Sequence, residues 1–287
     1  MSLWRRLLRT PAARRGLLML LLVVAVAIAA PLIAPTSPDH LDPGARLLAP
    51  LSRSASDAAH PRGMLHLLGT DSVGRDTLSR LIYGSRLSLA VGFAAVVLGA
   101  LIGTLVGTLS GFFGGIIEAV AGWLIDVQLS FPFLLLAMFL LGALGGGEVA
   151  VVCVLALATW VNYARIVRSQ VLSIRNQGYV EAARAIGAGV PRLILVHILP
   201  NTLTPLFVVA SFSMAQAILT EASLSFIGLG LDPSRPTWGT MLNDGRDYLL
   251  SAWWISTMPG IAIGFTVLGV LMLGEGLREV LDPRGSR

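Results

Sequence analysis

The side chains that could do chemistry in this chain are not spaced for it. His40, His60, His66 and His197 are scattered, and no HExxH helix sets two imidazoles on one face toward a metal. No GxSxG elbow presents a serine nucleophile, and no two carboxylates stand together inside an apolar run to divide acid and base roles. All 21 basic residues are arginines. A phosphate-binding P-loop needs a lysine on the β- and γ-phosphates, so ATP hydrolysis by that route is excluded. Cys153 is the single cysteine, which excludes an internal disulfide, and its apolar setting reads as a small buried hydrophobe. These residues predict a chain that is not an enzyme, with no catalytic, metal or cofactor-binding residues of its own.

The elements that would position any site must live with an unusual composition. Of 287 residues, 55% are hydrophobic and 13% charged, against about 25% charged in soluble domains. One soluble core could not hide that apolar surface, whereas a bilayer can. The net charge of +5 does not indicate nucleic acid, because the arginines form no basic stripe; they stand between apolar runs. Six runs are long enough to span: Leu17–Ala34, Leu87–Ser110, Leu124–Leu144, Val149–Val167, Leu203–Leu224 and Trp253–Leu273. The fold class is therefore all-α, a polytopic membrane protein with six transmembrane helices. The first run, behind Arg5, Arg6, Arg9, Arg14 and Arg15, also fits a signal peptide. Apolar residues continuing past Pro31 favour a retained helix.

Arginine placement orients the spans. Five arginines precede Leu17, five lie between Arg165 and Arg192, and three close the chain. This places both termini in the cytoplasm. The segment 35–86 carries six arginines on the opposite side and runs against the rule. The chain divides into 1–34 (N-terminus and first span), 35–86 (external loop with a pre-helix segment), 87–275 (transmembrane core) and 276–287 (cytoplasmic tail).

Within the second run, Gly99, Gly103, Gly107 and Gly111 recur every fourth residue, one helix face without side chains that invites another backbone close. Pro132, Pro205 and Pro259 should bend or start helices. Asp126 and Glu221 lie near span ends and read as structural; Glu148 suits a helix start. Gln128, Asn162 and Gln216 are candidate pore groups, equally explained as interhelical hydrogen-bond partners.

The segment Gln177–Asn201, QGYVEAARAIGAGVPRLILVHILPN, predicts a short helix over 179–186. Gly187 and Gly189 provide left-handed positions that end it, and Pro191 starts a second helix. A compact projection of small residues suits docking into another protein's groove, although a plain connector explains it equally well.

This segment resembles the EAA loop of ATP-driven importer permeases: Glu181-Ala182-Ala183, then Gly187, then Leu199-Pro200. His197-Ile198-Leu199-Pro200-Asn201 resembles the dipeptide, oligopeptide and nickel branch of that family, as do Leu68-Gly69-Thr70-Asp71, Gly74-Arg75-Asp76, Ser79–Gly84, Glu221-Ala222, Leu224–Gly230, Trp238-Gly239, Pro259-Gly260, Gly274–Arg278 and Leu281–Arg284. The likeness runs from about Leu68 to the end. It implies the second, C-type permease of a type I importer in the bacterial inner membrane, which pairs with a similar permease to form the pore. An external solute-binding protein delivers cargo, and two ATPase subunits bind ATP and magnesium. The loop 177–201 then acts as the coupling helix. Di- and oligopeptides are the implied cargo, with nickel or another small solute as alternative. An ion-driven secondary transporter should show an internal repeat and mid-span charges, and neither is evident.

Overall fold

A computed structural model describes Leu7 and residues 10–55, 63–232 and 234–281. Arg5, Arg6, Arg9, His60, Asp282, Pro283 and Arg284, named above, lie outside the described residues. The chain is a helical bundle. Helix α1 is Pro11–Ile33, α2 Thr77–Phe113, α3 Gly115–Ser130, α4 Phe133–Leu144 and α5 Glu148–Ile174. The short α6 is Gly178–Ala185, α7 runs Val190–Phe226, α8 is Trp238–Gly245 and α9 is Trp254–Leu281. Among the described residues five helices are long and apolar enough to cross a membrane, or six where α3 and α4, bent by 95° at the break between them, are counted as one span.

The third predicted span is therefore not one helix. It starts at Gly115, nine residues before Leu124, and breaks at Phe131 and Pro132. Pro132 has no N–H to continue the ladder and its ring disfavours a helical Phe131, which is extended at φ −96° and ψ 135°. Helix α2 is 37 residues long, about 55 Å at 1.5 Å per residue. That exceeds a hydrocarbon core of about 30 Å, so α2 extends beyond the apolar run Leu87–Ser110. Helix α7 likewise begins at Val190, well before Leu203.

The centre of the bundle is the contact of α2 with α5. A Cβ on Gly103 would collide with the carbonyl of Trp160 and lie 2.5 Å from Tyr163 Cβ. On Gly107 it would lie 2.5 Å from the Ala164 carbonyl, and on Gly111 2.9 Å from Val171 Cβ. Gly99 meets Thr159 and the Ala156 carbonyl in the same way. Half a turn away on α2, Phe93, Val97, Leu101 and Leu105 are exposed. One helix face thus meets protein backbone, and the other carries the apolar side chains that lipid solvates.

Other small residues hold α1 against α9. Gly16 lies against the backbone at Gly269 and Leu273, and Gly276 against Ala13. Gly274 meets Ser211 of α7, and the Arg175 guanidinium donates to the Gly111 and Phe112 carbonyls at 2.8 and 3.1 Å. The start of α1, the end of α2, the segment 177–201 and the end of α9 consequently share one end of the bundle. Cys153, expected to be buried, is exposed on α5, since its helical position falls outside the α2 contact.

Replacing Gly103 with leucine should cost about 1–3 kcal/mol through overpacking against α5. Gly264, whose Cβ would meet nothing within 4 Å, serves as control. Thermal unfolding in detergent should show a lowered midpoint for Gly103→Leu and an unchanged one for Gly264→Ala; equal midpoints would contradict the close contact.

Candidate functional site: a polar cavity and its attached end segment

A cavity of about 630 Å³ opens between the α3–α4 break, α5 and α7. Its walls bring together Gln128, Asn162 and Gln216, with Thr159, Ser213 and Thr220. The sequence left the first three between pore and packing roles, and the structure divides them. Gln128 accepts from the Trp160 indole N–H and donates to the Leu157 carbonyl, so it ties α3 to α5. Asn162 and Gln216 are exposed, and the Gln216 amide reaches only Thr220 Oγ1 at 3.3 Å. The exposed residues in the second half of α5 are Asn162, Arg165, Ser169 and Ser173, a polar line at helical spacing. Such a line cannot face hydrocarbon without large desolvation cost, so it faces water or another protein surface.

The segment 177–201 directly joins α5 and α7, two of the helices that line this cavity. Helix α6 covers Gly178–Ala185, one residue earlier than predicted. Val180 and Ala183 turn inward against Ile174, Leu193 and Ile198. Glu181 and Ala182 are exposed, so the Glu-Ala-Ala triplet is split between two faces. Gly187 ends the helix at φ +86°, while Gly189 is extended at φ −67° and not left-handed as predicted. One left-handed residue suffices to reverse the chain before Pro191 enters the first turn of α7.

Ile186 is 87% exposed at the tip, beside exposed Tyr179 and Val190. The tip is lashed to α7 by polar contacts. The Tyr179 hydroxyl donates to the His197 carbonyl at 3.3 Å and accepts from the Asn201 amide at 3.2 Å, and that amide also donates to the His197 carbonyl at 2.7 Å within α7. Leu199 is half-buried and Pro200 exposed. They do not mark a boundary before the span, because the helix runs through them. A π-helical stretch over Leu193–Ile198 precedes Pro200. Its wider turn accommodates the missing N–H and the ring that would otherwise crowd Val196.

At the opposite end a second polar construction was visible in the sequence only as a resemblance. Asp71 accepts from Arg75 Nε and Arg80 Nη1, each at 2.6 Å, and from the N–H groups of Val73 and Arg75 at 2.9 Å. Asp244 of α8 stands 3.1 Å from Arg75 and 3.0 Å from Arg80. Asp76 caps α2 through the Ser79 N–H at 2.7 Å and pairs with His66 Nδ1 at 2.9 Å. The segment before α2 also forms a two-stranded ribbon, Ser52 opposite His66. Helix α8 wedges in at this end: Trp238 N–H donates to Ser88 Oγ at 3.1 Å, and Gly239 lies against Ala222 and Ser225. Glu221 is buried nearby and accepts from Ser225 Oγ at 2.8 Å. Glu148 begins α5 and pairs with Arg235. Among the described residues no three His, Cys, Asp or Glu side chains converge as metal ligands.

Comparison with known proteins bears on this arrangement. Residues 103–287 match the family model "Binding-protein-dependent transport system inner membrane component". Residues 2–50 match "N-terminal TM domain of oligopeptide transport permease C". The chain is 43% identical over 281 residues to the dipeptide transport system permease protein DppC of Escherichia coli K12, covering 98% of this chain and 92% of that protein. It is 41% identical over 285 residues to the di/tripeptide transport system permease protein DppC of Pseudomonas aeruginosa UCBPP-PA14, covering 98% and 91%. In fold it is similar to a chain of the inward-facing MetNI methionine ABC transporter. The TM-score is 0.57 at 22% identity, over 70% of this chain and 96% of that one.

Burial would raise the Asp71 pKa, but Arg75, Arg80 and two backbone N–H groups outweigh it and hold the carboxyl below the usual range. A folded-state pKa below the unfolded value adds stability above about pH 4, which disappears as pH falls through the depressed value. Asp71→Asn should lower stability by about 1–3 kcal/mol, because Arg80, 1% exposed, loses a charged acceptor. Denaturation from pH 7 down to pH 3 should show the wild type converging on the variant; a constant gap would remove Asp71 as the cause.

Proposed function

The chain belongs to the family of binding-protein-dependent transport system inner membrane components, the permeases of ATP-driven importers, and from that membership we propose that it forms half of a pore for short peptides, worked through the segment 177–201. The observation that carries this reading is covalent: α5 and α7, which line the polar cavity, are joined by that one exposed segment. The peptide names of the relatives at 41% and 43% identity support the cargo. A partner permease of similar shape supplies the other half of the pore, and a binding protein delivers solute to the end built around Asp71 and α8. Two ATPase subunits hold ATP and magnesium, so this chain does no catalysis itself.

The mechanism follows from how the parts are fastened. An ATPase subunit grips α6 by Glu181, Ala182 and Ile186, which face outward, while Val180 and Ala183 hold α6 to the bundle. When the ATPases close, α6 moves as a unit. The Tyr179 hydroxyl, bonded to the His197 carbonyl and to the Asn201 amide, passes that movement to the first turns of α7. The continuous helix Val190–Phe226 carries it past Ser213, Gln216 and Thr220 to the opposite end. The polar wall then turns alternately to one side of the membrane and the other. The segment 177–201 and both termini are cytoplasmic in this reading, and 35–86 is external.

Gly187→Val puts a β-branched side chain at φ +86°, a true outlier. Uptake of labelled dipeptide and ATP hydrolysis, measured in parallel on the reconstituted complex, should both fall at least about tenfold while assembly of the two permeases persists, as a strain of order 1–3 kcal/mol would produce. Wild-type levels of both would leave 177–201 a connector. Transport by the purified chain without ATPases, driven by an ion gradient, would replace this reading with a secondary transporter. For orientation, with Cys153 replaced, an impermeant thiol reagent on intact cells should label a cysteine at Ser251 and spare one at Ser173; the reverse pattern overturns the topology.

A further inference from the structure

A second cavity, about 300 Å³, lies along the same helices toward the end bearing 177–201. Ser110, Glu118, Ile125, Asp126, Arg165 and Arg168 line it. Glu118 and Arg168 pair with each other. Asp126 on α3 and Arg165 on α5 are exposed and beyond ion-pair distance of any partner among the described residues. Asp126 stands about 16 Å along α3 from its start at Gly115. Arg165 is nine residues before the end of α5, about 14 Å. Unpaired charges on the helices of a membrane bundle are costly in lipid and mark a water-filled path or a partner for the charge.

The two cavities are consecutive. Leu129 and Asn162 line the neutral cavity, while Asp126 and Arg165, one turn away on α3 and α5, line the charged one. The first contains no ionisable side chain. A zwitterionic solute crossing it finds only dipoles, and its first opposite charges are the carboxylate of Asp126 and the guanidinium of Arg165 on facing walls. Glu118 and Arg168 already neutralise each other, leaving one free charge of each sign.

Resting on the importer reading above, we propose that Asp126 and Arg165 are a charged station on the translocation path. Asp126 takes cationic groups of the passing solute and Arg165 its carboxylates, after the solute leaves the neutral cavity. The station sets which charge class of peptide passes fastest once the binding protein has delivered it.

The test uses the full complex of binding protein, both permeases and ATPases in proteoliposomes, with Ala-Lys and Ala-Glu each saturating the binding protein. The initial rate of uptake of each peptide is the readout. Asp126→Asn should slow Ala-Lys about fivefold relative to Ala-Glu, and Arg165→Gln should slow Ala-Glu about fivefold relative to Ala-Lys, the factor that about 1 kcal/mol of solvent-accessible ion pairing makes. Equal slowing of both peptides in each variant would make the two residues structural and overturn the proposal, as would unchanged uptake. Import of neither peptide by the wild type would overturn the peptide-importer reading itself, a result distinct from any pattern among the variants.

Discussion

Helices α2 and α5 meet backbone to backbone along Gly99, Gly103, Gly107 and Gly111, the most extensive helix contact in the bundle. Inside a bilayer, apolar side chains gain little by leaving lipid for protein. Association there depends on close van der Waals fit, and a helix face without side chains is one way to obtain it. With one face of α2 taken up by α5, α1 and α7 pack beside this pair, and α9 packs in turn on α1 and α7. The C-terminal end of α5 is fixed by the same contact, because Arg175 reaches the last carbonyls of α2. The face of α5 left over is the one that carries Asn162, Arg165, Ser169 and Ser173.

How much of this was legible in the sequence depends on which physical signal each part gives. The four-residue glycine spacing is a local pattern, and the close face it implies could be read without knowing the partner helix. The six apolar runs indicated spans, but their ends were misjudged wherever a helix continues into water. Thr77, Val190 and Gly115 all begin helices outside the apolar runs, since hydropathy reports the solvent and not the backbone. Pro132 was expected to bend or start a helix; the 95° turn depends on how α3 and α4 settle against α5. Helix α8 was missed because eight residues between glycines and a proline give too short a period to read.

The site was legible in composition and not in geometry. Gln128, Asn162 and Gln216 stood out as amides in apolar runs, but only folding separates Gln128, spent on Trp160 and Leu157, from the two that stay open to the cavity. In the end segment, the Glu-Ala-Ala triplet reads as one surface in sequence. At 100° per residue it cannot be one, and Ala183 is buried where Glu181 and Ala182 are not. Asp71, Arg75 and Arg80 gave no periodic signal at all. Their meaning is tertiary: a buried arginine on α2 needs a carboxylate, and Asp71 and Asp244 bring one each from the preceding segment and from α8.

Stiffness and conformational freedom are distributed unevenly along the stretch of chain from α6 into α7. Gly187 is the only left-handed residue between α6 and α7 among the described residues, and nothing lies within 4 Å of its absent side chain, so the turn depends on backbone conformation and not on packing. Beyond it the helix is unbroken for 37 residues. The π stretch upstream of Pro200 takes up the proline's mismatch in place of a kink, and Asn201 and Tyr179 close on the His197 carbonyl there. The irregularity therefore sits at the joint between α6 and α7, and the polar residues of α7 lie on the unbroken helix beyond it.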